Sequence, residues 1–295
     1  MADQSLWLSL KSGELSAEVD PVGAQLSVLQ DHAGRDLLWG GDSSVWAGRA
    51  PLLFPIVGAL AGGSYRLGSR TYRLPRHGFA RNQQFEVVDA TPATAVFRLR
   101  ADEAIHKIYP FSFELEVHFA LDGTTLSVTS WIRNLSDVDM PASFGYHPAF
   151  RWPLPYGQPR SAHYIEFADE EPDPIRRLDA EGLMTAERHP TPIAHRRLAL
   201  ADALFHDDAI ICDQIRSRAV SYGAAVGPRI RIAFPDAPYL GIWTKPQAEF
   251  ICIEPWHGVA DPVGFSADFS AKPGVFTLMP GAALPIKMAI TLLGA

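Results

Sequence analysis

The chain has 295 residues, 47% of them hydrophobic and 20% charged, and 26 Lys+Arg against 33 Asp+Glu leave a net charge of −7. That composition lies in the globular range and excludes a disordered chain, a collagen-like fibre and a coiled-coil rod. The acidic balance argues against nucleic acid as the main partner, and 24 prolines spread along the chain argue against long helices.

Taken in chain order, the elements read as short β runs. Residues 7–10, 15–19 and 25–29 come first. A hairpin over 65–74 turns at Gly68-Ser69, and residues 96–99 follow as a further run. Over 111–119 every odd position is apolar (Phe111, Phe113, Leu115, Val117, Phe119), which makes a strand with one buried face. Asp122-Gly123 is a turn pair favouring positive φ, and Leu126, Val128 and Ile132 mark the strand that returns. Later runs are 209–212, 230–234, 239–243, 250–253, 275–278 and 286–292, most of them bounded by Gly, Pro, Asp or Ser. No stretch of helical periodicity is free of proline. Many short strands with regular turns predict an all-β sandwich or barrel. The weakest β region is 153–192, rich in prolines and charges; it reads as a loop excursion from one large sandwich in preference to a linker between two domains.

Cys212 and Cys252 are too few for a disulfide framework and lack zinc spacing, so both are expected as buried thiols in a reducing compartment. The start, Met1-Ala2-Asp3-Gln4, carries neither a basic leader nor an apolar signal core. The longest early uncharged stretch, 50–65, is broken by Pro51, Pro55 and several glycines and is too short to cross a bilayer. A soluble, cytoplasmic protein with no membrane partner is the expectation. Asn134-Leu135-Ser136 fits a glycosylation acceptor, read here as chance.

Four segments place polar residues in apolar surroundings. Arg49 opens the run to Gly58; it is either a surface residue ending a loop or a guanidinium aimed at hydroxyl or phosphate oxygens. In His77-Gly78-Phe79-Ala80-Arg81, a histidine and an arginine flank a glycine and an aromatic ring. His147 stands among Phe144, Tyr146 and Phe150, with Pro148 holding it extended; it is either a buried structural histidine or an acid–base group titrating near neutrality. In Phe250-Ile251-Cys252-Ile253-Glu254-Pro255, period two puts Phe250, Cys252 and Glu254 on one face and Ile251 and Ile253 on the other. Both faces are apolar, so the strand is predicted to be central and to stop at Pro255. An acid there is either salt-bridged or a general base with a raised pKa. Phosphate-binding Gly-rich loops, nucleophile elbows and zinc helices are absent. His206, Asp207 and Asp208 are adjacent, and neighbouring strand residues face opposite ways, so no metal site is expected there.

Together these segments resemble the aldose 1-epimerase (galactose mutarotase-like) family. The resembling pieces are Arg49-Ala50-Pro51-Leu52-Leu53-Phe54-Pro55-Ile56-Val57-Gly58, His77-Gly78-Phe79-Ala80-Arg81, Gly145-Tyr146-His147-Pro148 and Glu254-Pro255-Trp256-His257-Gly258. The resemblance implies one antiparallel β-sandwich domain over residues 1–295, a small-molecule sugar as partner and no cofactor. It implies His147 and Glu254 as the catalytic pair. Arg49, His77 and Arg81 would hold sugar hydroxyls, or a phosphate in the glucose-6-phosphate epimerase branch. A sugar-binding aspartate would be Asp208, with Asp207 as the other possibility. The Asn-Arg pair of well-known galactose mutarotases is absent, which places the chain in a divergent branch. The activity implied is interconversion of hexose anomers; a hexose-6-phosphate 1-epimerase and a non-catalytic sugar-binding or sensing protein are the alternatives.

Overall fold

The computed structural model describes residues 7–294. Strands take 44% of the chain and helices 7%, an all-β fold as the alternation predicts. No described helix is long and apolar enough to cross a membrane.

Nine strands form the larger sheet, in the order Arg197–Ala199, Tyr164–Phe167, Ala219–Gly223, Arg229–Ala233, Ala283–Leu293, Thr125–Asn134, Phe113–Asp122, Thr94–Arg100 and Glu86–Ala90. All neighbours are antiparallel. The hairpin expected near residue 120 is there: Asp122 faces Thr125 across a two-residue loop in which Gly123 takes a φ of +51°. A six-stranded sheet lies against this one, ordered Ile210–Cys212, Tyr239–Trp243, Phe250–His257, Phe144–Tyr146 and Leu52–Leu53, with Ala149–Arg151 also paired to Phe250–His257. Leu8–Lys11, Leu15–Asp20 and Gln25–Asp31 make a three-stranded sheet whose Leu10, Leu15, Val19 and Leu26 join the same core.

Ile251 and Ile253 enter that core beside Val128, Ile286 and Tyr146, while Phe250 and Cys252 belong to a separate apolar cluster on the opposite face. The face assignment made from period two therefore holds. Tyr146 ties the two large sheets together: its hydroxyl accepts from the Ser130 N–H at 3.1 Å and donates to the Ile286 carbonyl at 2.8 Å.

Pro255 does not stop its strand, which runs on to His257. The Ile253 N–H donates to Pro148, away from Tyr239–Trp243, and residues two apart point their N–H groups the same way. The missing N–H of Pro255 thus faces the break between Phe144–Tyr146 and Ala149–Arg151, where no ladder bond is required of it. Residues 153–192 contribute the strand Tyr164–Phe167 to the nine-stranded sheet, and isolated bridges tie Ile175 to His189 and Leu178 to Met184. Glu86–Ala90 escaped sequence reading because all five residues are exposed and present no apolar face.

The run from Pro51 to Ala61 is fastened to the end of the Phe250–His257 strand by a buried ion pair. Lys272 Nζ lies 2.6 Å from Asp261 Oδ1, with both side chains at most 3% exposed, and Asp261 Oδ2 accepts from the Ala61 N–H at 2.9 Å. Removing one member of a buried pair strands the other charge, at a cost of about 3–5 kcal/mol. Lys272→Met should lower the unfolding free energy by about that amount in a denaturant titration, and adding Asp261→Leu to it should restore most of the loss.

Candidate active site

His147 and Glu254 meet at the break in strand pairing. The chain leaves its ladder with Phe250–His257 after Tyr146 and rejoins it at Ala149, so His147-Pro148 spans the gap opposite Glu254. His147 Nε2 lies 3.1 Å from Glu254 Oε2. The contact is close, but its alignment falls short of a hydrogen bond, and Glu254 Oε2 and His147 Nδ1 have no hydrogen-bond partner among the described residues. The two residues are 7% and 1% exposed. Burial pushes the Glu254 carboxyl well above the usual carboxylate range and pulls His147 down to about 3. Burial thus disfavours the charged form of each group and shifts the pair toward a neutral carboxyl beside a neutral imidazole.

Both residues line a cavity of about 200 Å³, together with His77, Arg81 and Asp208. The glycine in His77-Gly78 is obligatory: at φ +73° a Cβ would stand 2.2 Å from the Phe54 carbonyl oxygen. That carbonyl accepts from the N–H groups of Phe79 and Ala80. His77 Nδ1 accepts from the Gly58 N–H at 3.1 Å, which fixes the ring proton on Nε2. Burial, reinforced by His147, Arg81 and Arg76, holds His77 well below the ordinary imidazole value. Asp208, at φ +64°, sits in the turn ahead of strand Ile210–Cys212. Its Oδ1 accepts from the Ala209 N–H, and its backbone carbonyl accepts from Arg177. Asp207 is exposed and does not line the cavity, so the structure separates the two aspartates. The turn, not a strand, sets their directions.

Arg49 does not line the cavity. Its Nη1 donates to the Ser27 carbonyl at 2.8 Å and its guanidinium lies 4.8 Å from the centre of the Trp7 ring. Instead Arg76, one residue before the recognised motif, joins Arg81 at the cavity. Arg81 Nη2 donates to the Arg76 carbonyl at 2.9 Å. The Arg76 guanidinium packs where a side chain on Gly182 would sit, with Gly182 at φ +80°. Among the described residues neither guanidinium is within ion-pair distance of a carboxylate.

Aromatic walls complete the site, and sequence reading missed most of them. Trp46 stacks on His147 with centroids 5.2 Å apart and planes 29° apart, and Trp243 meets Trp46 edge-on at 5.6 Å. Trp256 also lines the cavity. Leu178 reaches it from the segment 153–192, which carries no alternation that would mark a wall residue. Trp46 could have been suspected only as an aromatic in a polar loop. A larger open crevice of about 700 Å³ passes Arg35 and Arg151, but those cations are paired with Asp31 and Glu249 and no acid–base pair lies there.

The burial has a spectroscopic consequence. Side-chain nitrogen NMR should find His77 and His147 neutral at neutral pH, with the His77 proton on Nε2 and both midpoints displaced to the acid side. Burial disfavours the imidazolium, so both midpoints lie on the acid side; a midpoint near the ordinary value for either ring would contradict the buried geometry.

Comparison with known proteins agrees with this architecture. The sequence profile described as aldose 1-epimerase matches residues 7–264. The chain is 31% identical over 283 residues to the chromosomal protein LacX of Lactococcus lactis subsp. lactis, covering 92% of this chain and 95% of LacX. Its fold is similar to a galactose mutarotase related enzyme from Lactobacillus acidophilus, with a TM-score of 0.90, 29% identity and 97% of each chain covered. It is equally similar to a galactose mutarotase-like protein from Lactobacillus casei, with a TM-score of 0.90, 27% identity, and 97% of this chain and 100% of that one covered. With a profile match over most of its length and a relative aligned almost end to end, the chain belongs to the aldose 1-epimerase family.

Proposed function

We propose that the protein interconverts the α and β anomers of a hexose by acid–base ring opening and reclosure, without a cofactor. One observation carries the reading: a buried carboxyl and a buried imidazole, 3.1 Å apart, share the wall of a sugar-sized cavity. At about 200 Å³ the cavity is smaller than the roughly 300–1,000 Å³ of pockets for drug-sized ligands and suits one sugar ring.

Opening the ring takes a proton from the anomeric hydroxyl and gives one to the ring oxygen. Both oxygens are bonded to the same carbon, so the two catalytic atoms must themselves be close neighbours. Glu254 acts as base on the hydroxyl and His147 as acid on the ring oxygen, and they exchange roles on closure. With Glu254 as base and His147 as acid, the reacting form is the one with the shared proton on His147, and sugar hydroxyls bound at the cavity wall offset the burial that otherwise favours the proton on Glu254. His77 donates from Nε2 and Asp208 accepts, which suits them to orient sugar hydroxyls; the tryptophans offer apolar faces to the ring. Binding alone needs no buried acid–base pair, which counts against a purely sugar-sensing role.

A specific observation favours a phosphorylated substrate as the second reading. Arg76 and Arg81 bring two guanidinium groups to the cavity with no carboxylate partner among the described residues. A phosphate on the sugar would relieve their mutual repulsion and accept bidentate hydrogen bonds.

Anomer exchange followed by NMR tests both readings. Glu254→Gln keeps the shape and removes the base, and His147→Asn removes the acid. Each should cut turnover by at least about 10²-fold, and the double variant should be hardly worse than either single one. Near-normal turnover in Glu254→Gln would sink the mechanism. If a phosphate is read, Arg81→Lys and Arg76→Ala should each lower kcat/KM on a hexose 6-phosphate about 10–100-fold more than on the free hexose. Equal losses on both substrates would remove the phosphate from this position.

A further inference from the structure

Cys252 has no part in the acid–base reading, yet it stands two residues before Glu254 on the same face of the same strand. It is fully buried and free. Ligand atoms of His147, Cys252 and Glu254 all lie within 4.8 Å of one another. Glu254 Oε2, one of the would-be ligand atoms, is buried without a hydrogen-bond partner among the described residues. Unpartnered buried polar atoms are rare and call for an explanation. An imidazole and a carboxyl at the wall of a cavity, with a thiol buried behind them, are a donor set that suits zinc.

We propose that His147, Cys252 and Glu254 bind a thiophilic divalent cation such as Zn²⁺, with a fourth coordination position open toward the cavity. Three protein ligands and one open position are the pattern of zinc sites that exchange ligands, as opposed to closed structural ones. Metal–ligand bonds of about 2.0–2.3 Å set tetrahedral ligand atoms about 3.3–3.8 Å apart. The Nε2–Oε2 separation of 3.1 Å is slightly short of that range, and the sulphur lies no more than 4.8 Å away, so side-chain rotation on a fixed strand completes the geometry.

The charges balance as well. To ligate a metal the Cys252 thiol must lose its proton, and so must the Glu254 carboxyl where it carries one. Zn²⁺ displaces the thiol proton, and the carboxyl proton where Glu254 carries one, forming a Zn–S and a Zn–O bond and releasing the protons to solvent. The dication with a thiolate and a carboxylate is neutral overall, so no net charge is left in the apolar surroundings of Phe250 and Trp39. Affinity should rise with pH, because binding releases protons. The bound ion takes up the lone pairs that ring opening needs, so it inhibits, in competition with sugar. That consequence rests on the anomer-exchange reading; binding of the ion does not.

Cobalt reports the ligands directly. The full-length protein, stripped with a chelator and titrated with Co²⁺, should develop a near-ultraviolet thiolate-to-cobalt charge-transfer band that Zn²⁺ abolishes by displacement. Cys252→Ser should lose the band and Cys212→Ser should keep it. Absence of the band in the unmodified protein overturns the site, whatever the variants do. So does a band that disappears in Cys212→Ser. In the same preparation Zn²⁺ should suppress anomer exchange, with EDTA restoring it. Undiminished turnover with the cobalt or zinc site filled overturns the inhibitory role. A protein that exchanges no anomers while showing the Cys252-dependent band refutes the proposed function and upholds the metal site.

Discussion

The site depends on a break in one ladder. Strand Phe250–His257 is paired on one side by Tyr239–Trp243 without interruption, and on the other by two short strands with His147-Pro148 spanning the gap between them. An unbroken partner would fill the space beside Glu254 with backbone and leave no room for an imidazole. The break also explains why a proline is tolerated in a central strand, since the donor that Pro255 lacks would have pointed into the gap. On the opposite face Ile251 and Ile253 are locked into the main core, and Tyr146 anchors the segment just before the break to both Ser130 and Ile286. The gap is backed by the main core.

Burying two titratable groups side by side is tolerated because they need not both be charged. A carboxylate and an imidazolium so deeply buried would each carry a large desolvation penalty, only partly offset by their attraction. Moving the proton to the carboxyl removes both charges, and the raised Glu254 and lowered His147 follow from that. His77 repeats the theme: it is kept neutral by burial and committed to one tautomer by the Gly58 N–H. Positive charge is confined to Arg76 and Arg81. The cavity thus has a buried acid–base pair in its wall and two guanidinium groups with no carboxylate within ion-pair distance among the described residues.

The segment 153–192 shows how a region without a clear secondary-structure pattern serves a site. It supplies one strand to the larger sheet, and its isolated bridges hold Leu178 and Gly182 against the cavity and Arg76. Its many prolines and charges suit a chain that is fixed by a few contacts at defined points, not by a continuous ladder.

The sequence by itself determined the β class, most strand positions and the two faces of the Phe250 strand, because alternation with period two is a local property of the chain. It also singled out Glu254, since an acid inside an apolar strand is anomalous wherever the strand lies, and His147 as a histidine among aromatics. It left Trp46, Arg76, Leu178 and Trp243 unmarked, and it favoured Arg49 over Arg76. Alternation says which side chains share a face and is silent on which faces meet; that is set by strand order and by loops that cross from one sheet to the other. Only the tertiary structure brought His147 to Glu254, turned Asp208 inward through a left-handed turn while leaving Asp207 in solvent, and carried Arg49 away to Ser27 and Trp7. The physical reason is common to all three: direction and partner were decided by long-range packing and by turn geometry, neither of which a short stretch of sequence encodes.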